Sequence, residues 1–224
     1  MNAKIILSRV ANVLTSSVQT WAVMALMSMP LLFTACSETE ETQQEYPNWE
    51  STNSTYWNTL YTTTQSKISG GDTSWKLFKT YTKQDSISGV NTDYIIVHVK
   101  QAGTGSGTPF STDSVSVRYT GQLLPSTSYP AGYIFDTTSP AGTTDATAGV
   151  AHMAINSLTD GFATALQHMH IGDKWDVYVP WTLAYGAKGN KSIPGYSVLK
   201  FEISLLAYAR AGSALPKFHV RAVR

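Results

Sequence analysis

Asp160-Gly161-Phe162-Ala163-Thr164-Ala165-Leu166-Gln167-His168-Met169-His170-Ile171-Gly172-Asp173-Lys174-Trp175-Asp176-Val177-Tyr178-Val179 changes its periodicity part-way along. Phe162, Ala165, Leu166 and Met169 stand at offsets of three, four and seven, the spacing that lines one face of a short helix. Either Asp160 or Thr159 caps its start, and its end falls near Gly172. Beyond it, Trp175, Val177 and Val179 alternate with Asp176 and Tyr178, the pattern of a strand with one packed face. A short helix with one apolar stripe must cover something, and the inner face of an antiparallel sheet fits it.

Strand signals on both sides supply that sheet. Val115-Ser116-Val117-Arg118-Tyr119-Thr120 alternates cleanly. Leu199, Phe201, Ile203 and Leu205 fall on one face, with Lys200, Glu202 and Ser204 opposite. Tyr94 to Val99 is a β-branched run that ends at Gly103 and Gly105. The fold class predicted is α+β. Upstream, Trp49, Tyr56, Trp57, Leu60, Tyr61 and Thr64 lie near helical spacing, which predicts a helix over 49–68. Gly70-Gly71-Asp72 breaks it, the aromatic cluster Trp75, Phe78 and Tyr81 follows, and Ser88-Gly89 punctuates again. Residues 46–90 receive no chemistry: their aromatic side chains either pack on the main domain or grip a partner.

Composition narrows the function classes. The chain has 224 residues, 42% hydrophobic and 14% charged, with a formal net charge of +1. So balanced a charge supplies no field to gather phosphates, which disfavours a nucleic-acid partner. The single cysteine, Cys36, excludes an intramolecular disulfide and any zinc site of the multi-cysteine kind. Its context is informative. Lys4 and Arg9 give a basic start, Trp21 to Phe33 is almost wholly apolar, and Thr34-Ala35-Cys36 follows, the order of an export signal. The apolar stretch is about a dozen residues, short of the roughly 20 that span a bilayer. Leu32-Phe33-Thr34-Ala35-Cys36 resembles a lipobox, in which the cysteine is acylated and becomes the mature N-terminus, although Phe33 stands where Leu is usual. Several acyl chains would then anchor the protein to a membrane. Ser37 to Glu45, with Glu38, Glu40, Glu41 and Glu45, lacks apolar residues and reads as a solvated tether. It also resembles the acidic export signals behind the lipid cysteine of some Gram-negative surface lipoproteins.

A family resemblance joins these pieces. From about Asp113 to Tyr208 the chain carries Tyr119-Thr120-Gly121, then Phe135-Asp136, Leu158 to Phe162, Met169-His170-Ile171-Gly172-Asp173, Val177 to Pro180, Leu183-Ala184-Tyr185-Gly186, Ile193-Pro194 and Leu199 to Leu206. In order and spacing this series resembles the FKBP-type peptidyl-prolyl cis-trans isomerases, in a bacterial lipoprotein form. The resemblance implies a twisted antiparallel sheet wrapped on one short helix, here with an N-terminal helical extension, and a shallow apolar pocket that takes proline. The organisation expected is a lipoprotein signal peptide (1–35), a flexible tether (36–48), an N-terminal extension of helix then strand (49–105), the isomerase domain (106–210) and a C-terminal tail (211–224).

By the same resemblance, Tyr119, Phe135, Leu158, Phe162, Ile193 and Phe201 line the pocket. Asp136 acts on the reacting group electrostatically, while the Thr159 backbone N–H and the Tyr185 hydroxyl hold substrate carbonyls. Phe162 stands where many members have Trp. Thr159 replaces the usual Ile, and Ala151 and Met153 stand where members often have Phe. The segment Gln122 to Ile134 is longer than in minimal members, which raises a larger loop beside the pocket. Outside the resemblance, Tyr119, Phe135 and Phe201 would be ordinary core aromatics, Asp136 a loop cap, and Tyr185 a residue that closes a turn.

The residue types themselves suit the chemistry. An amide resists rotation by roughly 18–20 kcal/mol because the nitrogen lone pair is delocalised into the carbonyl. The twisted state loses that polarity, so a water-poor aromatic pocket favours it. No cofactor or metal is required. His168 and His170 lie two apart around a helix end and cannot both face one ion in a regular helix. Asn53-Ser54-Thr55 matches a glycosylation sequon without further meaning in a chain of bacterial type. Two classes follow: an isomerase acting on proline-containing polypeptides in the bacterial envelope, on either face of the outer membrane, and a noncatalytic module that holds chains or partners in the same pocket. Family members with N-terminal extensions often dimerise through them, so residues 49–81 either pair with a second copy or fold back on their own domain.

Overall fold

In a computed structural model of the chain, residues 44–83, 89–141 and 147–216 are described; Cys36 and the export signal lie outside them. Helix α1 (Trp49–Ser69) comes first, then strands β1 (Trp75–Lys79) and β2 (Tyr94–Gln101). β3 (Ser114–Gln122), β4 (Ile134–Thr137) and β5 (Ala151–Ala154) follow. Helix α2 (Asp160–His168), β6 (Lys174–Val179) and β7 (Leu199–Ala209) complete the order. The strands form one antiparallel sheet of seven in the order β1-β2-β6-β7-β3-β4, with β5 also paired to β3.

The sheet has a helix on each face. Phe78 on β1 and Trp175 on β6 share the face of α2, where the Phe78 ring stacks on His168 at 4.0 Å and meets Trp175 at 5.9 Å. Trp75, three residues from Phe78 and so on the opposite face, stacks on His98 at 4.6 Å and lies under the ammonium of Lys67 from α1. Two-sided cover explains why β2 reads as a continuous apolar run: Ile95, Ile96 and Val97 are all fully buried. Burial lowers the pKa of His168, whose ring fills a slot between Phe78 and Tyr81, 5.0 Å away, and stays neutral near pH 7.

α1 confirms the helix over 49–68 and turns Trp49, Asn53, Trp57 and Thr64 inward. α2 starts where expected, with Thr159 as the capping residue. It ends at His168 rather than near Gly172, because the buried carboxylate of Asp173 accepts the His170 N–H at 2.6 Å and the Gly103 N–H at 2.6 Å. Those bonds give the backbone a partner outside the helix. β1, β4 and β5 carried no strand signal that the sequence reading used. The boundary drawn at 105 is not a structural seam either: β2 pairs with β6 and places the extension inside the same sheet. Glu45, the last of the acidic run, is docked rather than free. Its carboxylate accepts the Ser126 hydroxyl at 2.5 Å and the Ser128 N–H at 3.1 Å, bonds that hold its pKa below the usual range.

At Gly161 the backbone of α2 packs closely on β6. A Cβ there would stand 2.2 Å from Cγ1 of the fully buried Val179. Alanine gains at most about 1 kcal/mol of helix propensity, whereas overpacking a closed core costs about 1–3 kcal/mol. Gly161→Ala is therefore expected to lower the denaturant midpoint, and an unchanged or higher midpoint would show that the contact yields.

Candidate functional site

β3, β4, β7, α2 and the turn after β6 converge on one cleft of about 270 Å³. Tyr119 reaches it from β3, Phe201 from β7 and Phe162 from the first turn of α2, while Leu158 and Thr159 come from the entry to that helix. Phe162 and Phe201, each 5% exposed, form the floor. The rings make a connected series of edge-to-face contacts: Tyr119 to Phe162 at 5.7 Å, Phe162 to Phe201 at 4.9 Å, and Phe201 to Phe135 at 5.6 Å. Such pairs are favourable beyond the area they bury. Tyr185, 41% exposed, stands at the rim.

Phe135 and Asp136 are consecutive on β4, yet both border the cleft. In a regular strand they would face opposite sides. The pairing explains the exception: Gly121 opposes Asp136 and Gln122 opposes Ile134, which leaves Phe135 as the extra residue of a bulge. Bulges re-aim side chains in this way. Gly121 makes room for the result, since a Cβ there would meet the Phe135 ring at 2.6 Å and Phe201 at 2.8 Å.

The polar side of the cleft is spare. The Tyr119 hydroxyl donates to Oδ2 of Asp136. Thr159 Oγ1 makes no capping bond to α2, although its carbonyl accepts the Ala163 N–H at 2.9 Å. All the residues expected at the pocket border it except Ile193. That side chain is 3% exposed and lies in the core, beside a separate shallow cleft with Tyr46, Tyr129 and Tyr133. The reason is local. Asn190 Oδ1 accepts the Ile193 N–H at 2.9 Å and the Asn190 N–H donates to the Ile193 carbonyl at 2.8 Å, a tight closure that turns the side chain inward. Met153 and Ser157 also border the cleft. In the sequence Met153 stands out only as a position where the FKBP-type family often has Phe, and Ser157 carries no signal. Among the described residues no group of His, Cys, Asp or Glu is arranged to hold a metal, and no helix is long and apolar enough to cross a membrane.

The model of the family described as FKBP-type peptidyl-prolyl cis-trans isomerase matches residues 105–206. Over those residues the chain is similar to that family and has an FKBP-like fold. The 22 kDa FKBP-type peptidyl-prolyl cis-trans isomerase of Escherichia coli is 35% identical over 120 residues, 53% of this chain and 52% of that protein. The outer membrane protein MIP of Legionella longbeachae is 35% identical over 111 residues, 49% of this chain and 42% of that one. The chain thus matches about half the length, or less, of these relatives. The crystal structure of FkpA from E. coli shares the FKBP-like fold, with a TM-score of 0.50 at 22% identity over 72% of this chain and 62% of that one.

In this FKBP-like fold, burial first and the bond to Asp136 second push the Tyr119 phenol above its ordinary range. The unfolded chain releases that proton near pH 10, about the ordinary tyrosine value, while the folded chain keeps it. Stability contributed by Tyr119 is therefore full below pH 10 and is lost as the pH rises beyond it. Tyr178, pushed up to about 12 mainly by burial, acts in the same direction. Between about pH 9 and about pH 11, Tyr119→Phe is expected to lose less unfolding free energy than the parent. Equal losses would mean that the folded phenol titrates as an exposed one.

Proposed function

We propose that the protein is a peptidyl-prolyl cis-trans isomerase that acts on proline-containing polypeptides in the bacterial envelope. The observation that carries this reading is the gathering of Tyr119, Phe135, Phe162, Tyr185 and Phe201 around one cleft with Asp136 at its edge. Proline enters against the Phe162–Phe201 floor. The aromatic walls exclude water, which favours the less polar twisted amide over the planar one. The Thr159 backbone N–H and the Tyr185 hydroxyl hold carbonyls on either side of the turning bond. Asp136, oriented by its bond from Tyr119, acts electrostatically on the carbonyl carbon as it loses conjugation. No bond is made or broken, so neither nucleophile nor cofactor enters the scheme.

In a proline-peptide exchange assay the purified protein should accelerate interconversion, and Asp136→Ala should lower kcat/KM about tenfold or more if its charge is felt mainly in the twisted state. Phe162→Ala should abolish the acceleration, with loss of stability of about 3–5 kcal/mol from the emptied floor. Binding of proline peptides without acceleration would favour instead a noncatalytic chain-holding module. Thr159 and Met153 in the cleft wall, in place of the family's more usual apolar and aromatic residues, are what support that second reading.

Placement in the envelope follows from Leu32 to Cys36. Acylation of Cys36 would hold the domain to a membrane, and the similar protein of Legionella longbeachae is an outer membrane protein by name. Cys36→Ser should move the protein from the membrane fraction to the soluble one in the producing cell and end incorporation of a labelled fatty acid. Retention of either property would exclude Cys36 as the anchor.

A further inference from the structure

Asn53 is an unusual residue for the inner face of a helix: it is fully buried, and both ends of its amide are engaged. Nδ2 donates to the Trp49 carbonyl at 2.8 Å, and Oδ1 accepts the Val198 N–H at 2.7 Å. One turn earlier, Trp49 Nε1 donates to Ser197 Oγ at 2.8 Å, across 148 positions of sequence, and that hydroxyl donates to the Pro194 carbonyl at 2.7 Å. Two side chains of α1 thus hold two consecutive residues of the segment that leads into β7. Val198 is 1% exposed, so water cannot replace Asn53 as acceptor for its N–H without the segment moving.

The residue before this pair carries strain. Tyr196 has φ of 61°, in the left-handed region, which a bulky aromatic residue occupies only when its surroundings over-determine it. The Tyr196 N–H donates to the Gly186 carbonyl at 3.0 Å, and its ring meets Trp181 at 5.1 Å. From the same segment the Gly189 N–H donates to the Tyr185 carbonyl at 3.2 Å. The backbone carrying Tyr185 is therefore fastened to residues that α1 holds in place.

We propose that Trp49 and Asn53 are positioning residues for the cleft. By fixing Ser197 and Val198 they keep Tyr196 in its strained conformation, and through the Tyr196–Gly186 bond they set where the Tyr185 hydroxyl stands at the rim. α1 is then a working part of the isomerase site rather than an appendage to it. This rests on the role proposed above for the Tyr185 hydroxyl, and the test separates the two.

The test is a double-mutant cycle on the full chain, with kcat/KM for a proline peptide and thermal midpoint measured for every variant. Trp49→Phe keeps an aromatic ring but removes the indole donor together with the pyrrole half of the side chain, whose packing loss the thermal midpoint reads; Asn53→Ala removes both amide bonds. In the parent, each is expected to lower kcat/KM about fivefold, on the order of one lost hydrogen bond. In a Tyr185→Phe background neither should lower it further, because the group they position is already absent. A merely structural role would produce the same loss in both backgrounds, and that result overturns the inference while leaving the role of Tyr185 intact. Full kcat/KM in folded Trp49→Phe also overturns it, and this variant decides the matter if Asn53→Ala does not fold. Tyr185→Phe without any effect on the parent would remove the role of that hydroxyl and the inference together.

Discussion

The contact between Phe162 on α2 and Phe201 on β7, 4.9 Å between ring centres, is the constraint from which the cleft follows. It joins the only short amphipathic helix among the described residues to the centre of the sheet, and it does so with two rings that are nearly out of solvent. Tyr119 and Phe135 then lean on that pair edge-on, so the floor and two walls form a single packed unit. Such a surface is apolar because it is core. The cleft is the place where the core of this FKBP-like fold comes to the surface, with hydrogen-bonding groups only at its margin.

What the sequence could reveal depended on whether a side chain's neighbours were local. α2, β3, β6 and β7 were legible because apolar residues recur along one face of each and polar ones along the other, and that contrast is written into periodicity. β1 was not, since Trp75 and Phe78 pack on opposite faces and no alternation survives. β4 is four residues long and interrupted by its bulge, and β5 is small and half exposed. In the site, Tyr119, Phe162 and Phe201 were assigned through the family resemblance, and regular strand and helix geometry then fixes where they point. Ile193 sits in a loop whose direction is set by the Asn190 closure, and order along the chain does not encode that. Asn53 was passed over for the opposite reason: a polar residue in a helix reads as solvent-facing unless its distant partner, the Val198 N–H, is known.

α1 illustrates how little amphipathicity a helix needs when its buried stripe is specific. Its sequence is rich in Thr, Ser and Asn, and its contribution comes from Trp49, Trp57 and one asparagine rather than from a broad apolar face. Through Lys67 over Trp75 and Tyr56 beside Tyr178 it lies against the sheet, and its Trp49 and Trp57 belong to the hydrophobic core. The aromatic residues of the extension are thus largely consumed within the chain, with Tyr81 the most exposed of them.

The bulge at Phe135 makes the chemistry of the cleft depend on counting as well as on composition. Removal of any one residue from β4 that restored regular pairing would swing either the ring or the carboxylate to the other side of the sheet, with every amino acid type still present. Homologous segments that preserve a Phe-Asp pair but differ by one in the length of this strand would therefore be look-alikes without the same interior, and recombination through β4 is tolerated only when it keeps the frame.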